Sequence, residues 1–166
     1  MRKLCLLFLL IGTYCYAGEK KYTVDSPDGK IQLAIIQTDA GELTYQLSVK
    51  RKQVIDASAL GLKTEDGLTF PFRGWKMGKV TRNKVNSVWK PLWGKRAVVP
   101  DKYNEMKLSF VNEAKSSDAL EVVARAYNEG VAFRYVSPQG TGSALELTTF
   151  NFAGDYTAWF YDCLLY

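Results

Sequence analysis

Leu43, Tyr45, Leu47 and Val49 alternate with Thr44, Gln46, Ser48 and Lys50. A period of two places every second side chain on the same side of an extended chain, so residues 42–50 read as a strand with one covered face. Ile31, Leu33 and Ile35 repeat the pattern upstream within 31–37, and Met106, Leu108 and Phe110 repeat it downstream. Turn chemistry punctuates these runs. Ser26-Pro27-Asp28-Gly29 ends a first strand over 22–25, and Thr38-Asp39-Ala40-Gly41 separates the second strand from the third. Residues 54–57 and the chain through Leu60 and Leu62 read as short strands broken at Glu65-Asp66-Gly67, and Pro71 restricts 68–72 to a sheet edge. Residues 75–83 predict a strand, 85–96 a loop with a strand fragment, 112–118 a polar turn, and 148–152 a short apolar run before aromatic residues 156–161. No segment sustains a 3.6-residue apolar period. Many short strands at a spacing of roughly 8 to 12 residues predict an all-β fold, a two-sheet antiparallel β-sandwich.

Residues 120–136, LEVVARAYNEGVAFRYV, carry the strongest local signal. Strand formers flank Asn128-Glu129-Gly130, which predicts a hairpin with a type I turn and Gly130 at positive φ. Pairing Tyr127 with Val131 would put Val123, Arg125, Tyr127, Val131, Phe133 and Tyr135 on one face. The other face would hold Val122, Ala124, Ala126, Ala132, Arg134 and Val136. Neither is simply polar, so the hairpin is expected to be central and covered on both sides. Arg134 is then buried among small side chains and needs a partner.

The totals fit one domain: 166 residues, 47% hydrophobic and 13% aromatic, are enough to build a core. The first 17 residues are set apart from it. Arg2 and Lys3 form a charged start, 4–11 an apolar run, and Cys15-Tyr16-Ala17 a small-x-small cleavage site before Gly18. This reads as a secretory signal, because the apolar run is shorter than the ~20 residues a spanning helix needs, and Tyr14 argues against lipoprotein processing at Cys15. The mature chain is expected to be secreted or periplasmic, with no membrane span. Cleavage removes two of 22 basic residues against 17 acidic ones, which lowers the net charge from +5 to +3. The remaining cations are scattered rather than striped, so nucleic acid is not an expected partner. Of the three cysteines only Cys163 survives cleavage, leaving no internal disulfide. Histidine is absent, which excludes Ser-His-Asp and Cys-His triads and histidine-ligated zinc.

Four residues are candidates for contact with a ligand or another domain. Trp89 and Trp93, in WKPLWG, can present indole faces to sugar C–H faces from a loop, or instead close the core or bury against another domain. Asn104 and Glu105, in a YNE sequence expected to open a strand, can orient a hydroxyl or reach a neighbouring site, or Glu105 can simply pair with a nearby cation. Arg134 and Gly130 are assigned structural roles. No catalytic or metal residue is assigned.

RAYNEGVAFRY, taken with WKPLWGK, YNEMKLSF and SPDGKI, resembles the N-terminal domain of glycoside hydrolase family 97 over about residues 22–162. The resemblance implies a partial, galactose-mutarotase-like super-sandwich over 18–162. It implies a non-catalytic portion of a secreted α-glucosidase or α-galactosidase, working beside a catalytic (β/α)₈ barrel in cis on oligosaccharides. Calcium is implied for the full-length family, with its glutamates mainly beyond the matched region, so no cofactor is expected in this chain. The tail Cys163-Leu164-Leu165-Tyr166 departs from the family pattern and suits a truncated reading frame. A free-standing carbohydrate-binding sandwich is the alternative.

Overall fold

The computed structural model describes residues 19–65, 67, 69–71, 75–113, 119–137 and 142–157. The expected signal segment (1–17), the centre of the polar turn (114–118), most of the aromatic run (158–161) and the tail (163–166) lie outside the described residues. Among those described, the chain forms β1 (Lys20–Asp25), β2 (Ile31–Gln37), β3 (Leu43–Val49), β4 (Lys52–Leu60), β5 (Leu62–Thr64), β6 (Thr69–Phe70), β7 (Trp75–Trp89), β8 (Val99–Asn112), β9 (Ala119–Tyr127), β10 (Val131–Val136) and β11 (Ala144–Glu146).

Two four-stranded antiparallel sheets, β1-β2-β3-β4 and β10-β9-β8-β7, face one another, and a small sheet β11-β5-β6 sits beside them. The alternating positions read from sequence supply the core. Leu33, Ile35, Leu43 and Tyr45 from the first sheet meet Met106, Leu108, Phe110 and Val122 from the second, all nearly excluded from water. Burying side chains of this size contributes about 1.5–3 kcal/mol each. Pro71 follows β6 immediately, and β6 is a sheet edge as its proline requires. The link from β3 to β4 is tight: Val49 pairs with Lys52, and Lys50 (φ 50°) and Arg51 (φ 67°) both take left-handed backbone. Positive φ at both loop positions is what a type I′ hairpin demands, even where neither residue is glycine.

Two expectations need correction, the hairpin and the loop after residue 85. Ala126, not Tyr127, opposes Val131, so β10 is shifted by one position against β9. Tyr127 N–H donates to the Gly130 carbonyl (2.8 Å) and the turn is shorter than expected. Gly130 is not at positive φ, and a Cβ there would meet nothing, so the backbone does not require glycine. A one-residue slip exchanges faces. Phe133 and Tyr135 join the core opposite Ala124 and Val122, where the small alanine leaves room for a ring. Phe133 then packs on Tyr45 across the sandwich with centroids 5.3 Å apart. The same slip sends Arg134 outward, where it is exposed and has no ion-pair partner among the described residues.

The second correction lengthens the ribbon. Residues 85–89 belong to β7, which pairs with β8 from Trp75↔Asn112 to Trp89↔Val99, interrupted by a shift between Met77 and Val80. Tyr103-Asn104-Glu105 therefore lies inside β8 and does not open it. β7 is an exposed edge, and Lys76, Lys79, Arg82 and Lys84 along it discourage pairing with a foreign strand.

The short apolar run 148–152 forms no regular strand and follows the free edge of β4. Thr149 N–H donates to Ala59 O, Asp56 N–H to Asn151 O and Ala153 N–H to Val54 O. Side chains complete the seam where the ladder is broken. Buried Ser58 Oγ accepts the Asn151 N–H (2.9 Å) and donates to Asp56 O (2.8 Å), while Thr149 Oγ1 accepts the Ala59 N–H. Tyr45 reaches through the core to donate its hydroxyl to Thr149 O at 2.8 Å.

Candidate functional site

Along the inward side of β8 the sequence reads Phe110, Leu108, Met106, Asn104, Lys102. The first three are fully buried and the next two are not, so the change from apolar to polar marks where the opposite sheet ends and the ribbon leaves the sandwich. At that exit lies a cleft of about 650 Å³ between the end of β1 and the ribbon. Asp25, Arg82, Lys84, Asn104 and Glu105 are among the residues that line it. Asn104 Nδ2 donates to the Asp25 carbonyl (2.7 Å), and Arg82 Nη2 donates to the Thr23 carbonyl (3.3 Å). These bonds stitch the ribbon to β1, so Asn104 spends its amide on architecture.

The turn at the cleft's edge is also braced. Asp28 accepts from the Ser26 hydroxyl (2.7 Å), pairs with Lys30 Nζ (3.0 Å), and donates its N–H to Asn128 Oδ1 of the β9–β10 turn (3.0 Å). The Ser26 hydroxyl foremost, then Lys30, hold its carboxyl down at a pKa of about 2.

Glu105 points to the other side of β8. Its Oε2 receives Arg125 Nε at 2.7 Å, and the guanidinium lies 4.4 Å from the centroid of the Tyr103 ring. Tyr127 packs on Tyr103 with centroids 5.0 Å apart. Burial pushes the Tyr103 hydroxyl's pKa up, and the bond to Glu105 does the same for Arg125. Of the two arginines in the hairpin, Arg125 is the paired one. Sequence reading placed it on a face without singling it out; the available signal was Glu105, directly opposite once β8 and β9 are in register.

Trp89 and Trp93 stand apart from Asn104 and Glu105. Trp89 ends β7 and is half exposed, while Trp93 is 87% and Leu92 100% exposed. Neither indole closes the core. The tip carries Lys90, Lys95 and Arg96 beside them and no acid between Asn86 and Pro100.

Chemically, the cleft offers contact rather than acid–base work. Asp25 Oδ1 accepts from the Gln32 amide (2.8 Å), and the Glu105 carboxylate is turned to the other face of β8, where Arg125 holds it. Among the described residues no group of three or more His, Cys, Asp or Glu converges. A calcium ion takes roughly six to eight oxygen ligands, and the described carboxylates do not make such a cage by themselves. No described helix is long and apolar enough to cross a membrane.

Comparison with known proteins agrees with the sandwich. Residues 24–164 match the family model described as Glycosyl-hydrolase 97 N-terminal. A probable retaining alpha-galactosidase of Streptomyces bingchenggensis is 30% identical over 155 residues, which is 91% of this chain and 24% of that protein. The retaining alpha-galactosidase of Bacteroides thetaiotaomicron is 26% identical over 162 residues, 95% of this chain and 23% of that one. A Glycoside Hydrolase Family 97 enzyme from Pseudoalteromonas sp. strain K8, solved with panose and with acarbose, is 34% identical with a TM-score of 0.63, over 70% of this chain and 17% of that chain. The chain spans about a quarter of the length of the curated relatives it matches.

Proposed function

The chain belongs to the Glycosyl-hydrolase 97 N-terminal family, and from that premise we propose that it is the non-catalytic sandwich of a secreted or periplasmic α-glycosidase. The observation that carries this reading is the match of nearly the whole chain to about a quarter of each curated relative. A protein of that size has room for a catalytic barrel, which needs roughly 250 residues. The described acids support the same division of labour. Hydrolysis of a glycoside needs two carboxyl groups flanking the scissile bond, and the two acids at the cleft are already committed to Gln32 and Arg125. Calcium, where the whole enzyme uses it, is assigned to carboxylates supplied largely by the catalytic part.

α-Galactosides are the substrates named for both curated relatives and are our first assignment for the whole enzyme. The panose and acarbose complexes of the structural neighbour favour α-glucosides as the second. The chain's own task is mechanical: its rigid sheets and ribbon hold the catalytic part in place. The test is to assay the purified 166-residue protein on nitrophenyl α-galactoside and α-glucoside. We expect no turnover above buffer; hydrolysis that survives repurification would overturn the non-catalytic assignment.

A further inference from the structure

The β7–β8 ribbon has three zones. Its base buries Met106, Leu108 and Phe110; its middle presents Lys84, Asn86 and Lys102 to water; its tip turns apolar again, with Val88, Trp89, Leu92, Trp93 and Val98 exposed. Folding explains the first two zones, because polarity begins where the facing sheet ends. It does not explain the third, since an exposed indole and a fully exposed leucine stabilise nothing in the sandwich. The arm is not a loose loop, because the ladder runs unbroken from Val80↔Leu108 to Trp89↔Val99. A stiff arm with an apolar end is built to enter something.

We propose that the ribbon tip is the docking arm of this domain, seated in an apolar, carboxylate-rimmed surface on the catalytic part of the enzyme. The assignment rests on the supporting role proposed above, since the curated relatives carry about three quarters of their length beyond the matched region. Charge complementarity defines the rim: Lys90, Lys95 and Arg96 flank the indoles without a neighbouring acid, so the receiving surface supplies carboxylates. The centre is dry. Tryptophan and arginine are the residue types that anchor protein interfaces, and the aliphatic Val88, Leu92 and Val98 fit a desolvated protein pocket better than the hydroxyl-rich surface of a sugar.

Trypsin reads the tip directly, because Lys95 and Arg96 lie within it. In the 166-residue protein both sites should be cut readily, and L92D should leave the melting temperature unchanged; resistance to cutting, or a loss comparable to that of a core change, would show the tip already packed and overturn the proposal. The second measurement places this domain in the Streptomyces relative, in exchange for the region it matches. There the tip should be cut at least tenfold more slowly, the ratio that about 1.4 kcal/mol of docking produces, and L92D should restore the fast rate. An active chimera whose tip is cut as fast as in the isolated chain overturns the docking and leaves the supporting role standing. A chimera that unfolds in two independent transitions without activity refutes the supporting role and the docking with it. Dimers of the isolated chain abolished by W93A, retention on panose lost in W93A, or sedimentation with phosphatidylcholine–phosphatidylglycerol vesicles would assign the tip to a second copy, a sugar or a lipid surface, and would overturn the assignment.

Discussion

Arg125→Ala leaves the largely covered Glu105 carboxylate beside Tyr103 without its cation. Stranding a charged hydrogen-bonding group costs about 1–3 kcal/mol, and the partial exposure of Arg125 puts the expected loss toward the lower end. Arg134→Leu, on the same hairpin but in solvent, should stay within about 0.5 kcal/mol of the parent. Urea midpoints of the two variants check the pair; an Arg134→Leu midpoint lowered as far as that of Arg125→Ala would contradict the observed register of β10. Asp28 sets an acid-dependent term. Its folded pKa, about 2, lies below its ordinary 3.8, so its stabilisation is complete above 3.8 and fades as the pH falls toward 2. The stability gap between the parent and Asp28→Asn should therefore close over that window, and a gap constant from pH 6 to pH 2 would show that the carboxylate contributes nothing.

At the scale of the element, the irregular segment 147–153 stands in for a strand at the edge of the first sheet. Its backbone bonds to β4 are spaced by side-chain contacts, and Ser58 serves twice there, as acceptor for Asn151 N–H and donor to Asp56 O. Ser58→Ala removes both while keeping the volume nearly constant, at a fully buried site. The expected cost is about 1–3 kcal/mol, accompanied by faster hydrogen exchange at the Asn151 amide. Unchanged exchange there would mean that the segment is held by its backbone bonds alone. The run 148–152 looks like a strand because it is apolar and β-prone. In the fold it joins β4 only through scattered backbone bonds and a single bridge, Ile55↔Phe152, and Phe150 and Phe152 remain exposed.

On the scale of the whole molecule, the exposed large apolar side chains among the described residues, Val111 apart, fall in two places, the ribbon tip and the segment carrying Leu145, Leu147, Phe150, Phe152 and Tyr156. Exposed apolar surface beside an incomplete sheet edge promotes association. The isolated chain should therefore show concentration-dependent sedimentation that Phe152→Ser reduces and that W93A leaves in place. A single monomeric species over a hundredfold range of concentration, roughly the span of ~3 kcal/mol in association free energy, would show that these rings are covered within the chain.

Residue order alone determined the all-strand class, the turns at Ser26–Gly29 and Thr38–Gly41, and the inward identity of Leu33, Ile35, Leu43, Tyr45, Met106, Leu108 and Phe110. It could do so because alternation specifies which side chains share a face, and turn residues specify where a strand must stop. It did not determine which faces meet. A three-residue and a two-residue β9–β10 loop are both compatible with Asn128-Glu129-Gly130, and the choice falls to Phe133 reaching Tyr45 across the sandwich. That long-range contact turns Arg134 to water, while the β8–β9 register gives Glu105 to Arg125. The tryptophans follow the same logic. Composition marks WKPLWG as apolar, but only the unbroken pairing of β7 with β8 carries it beyond the reach of the core.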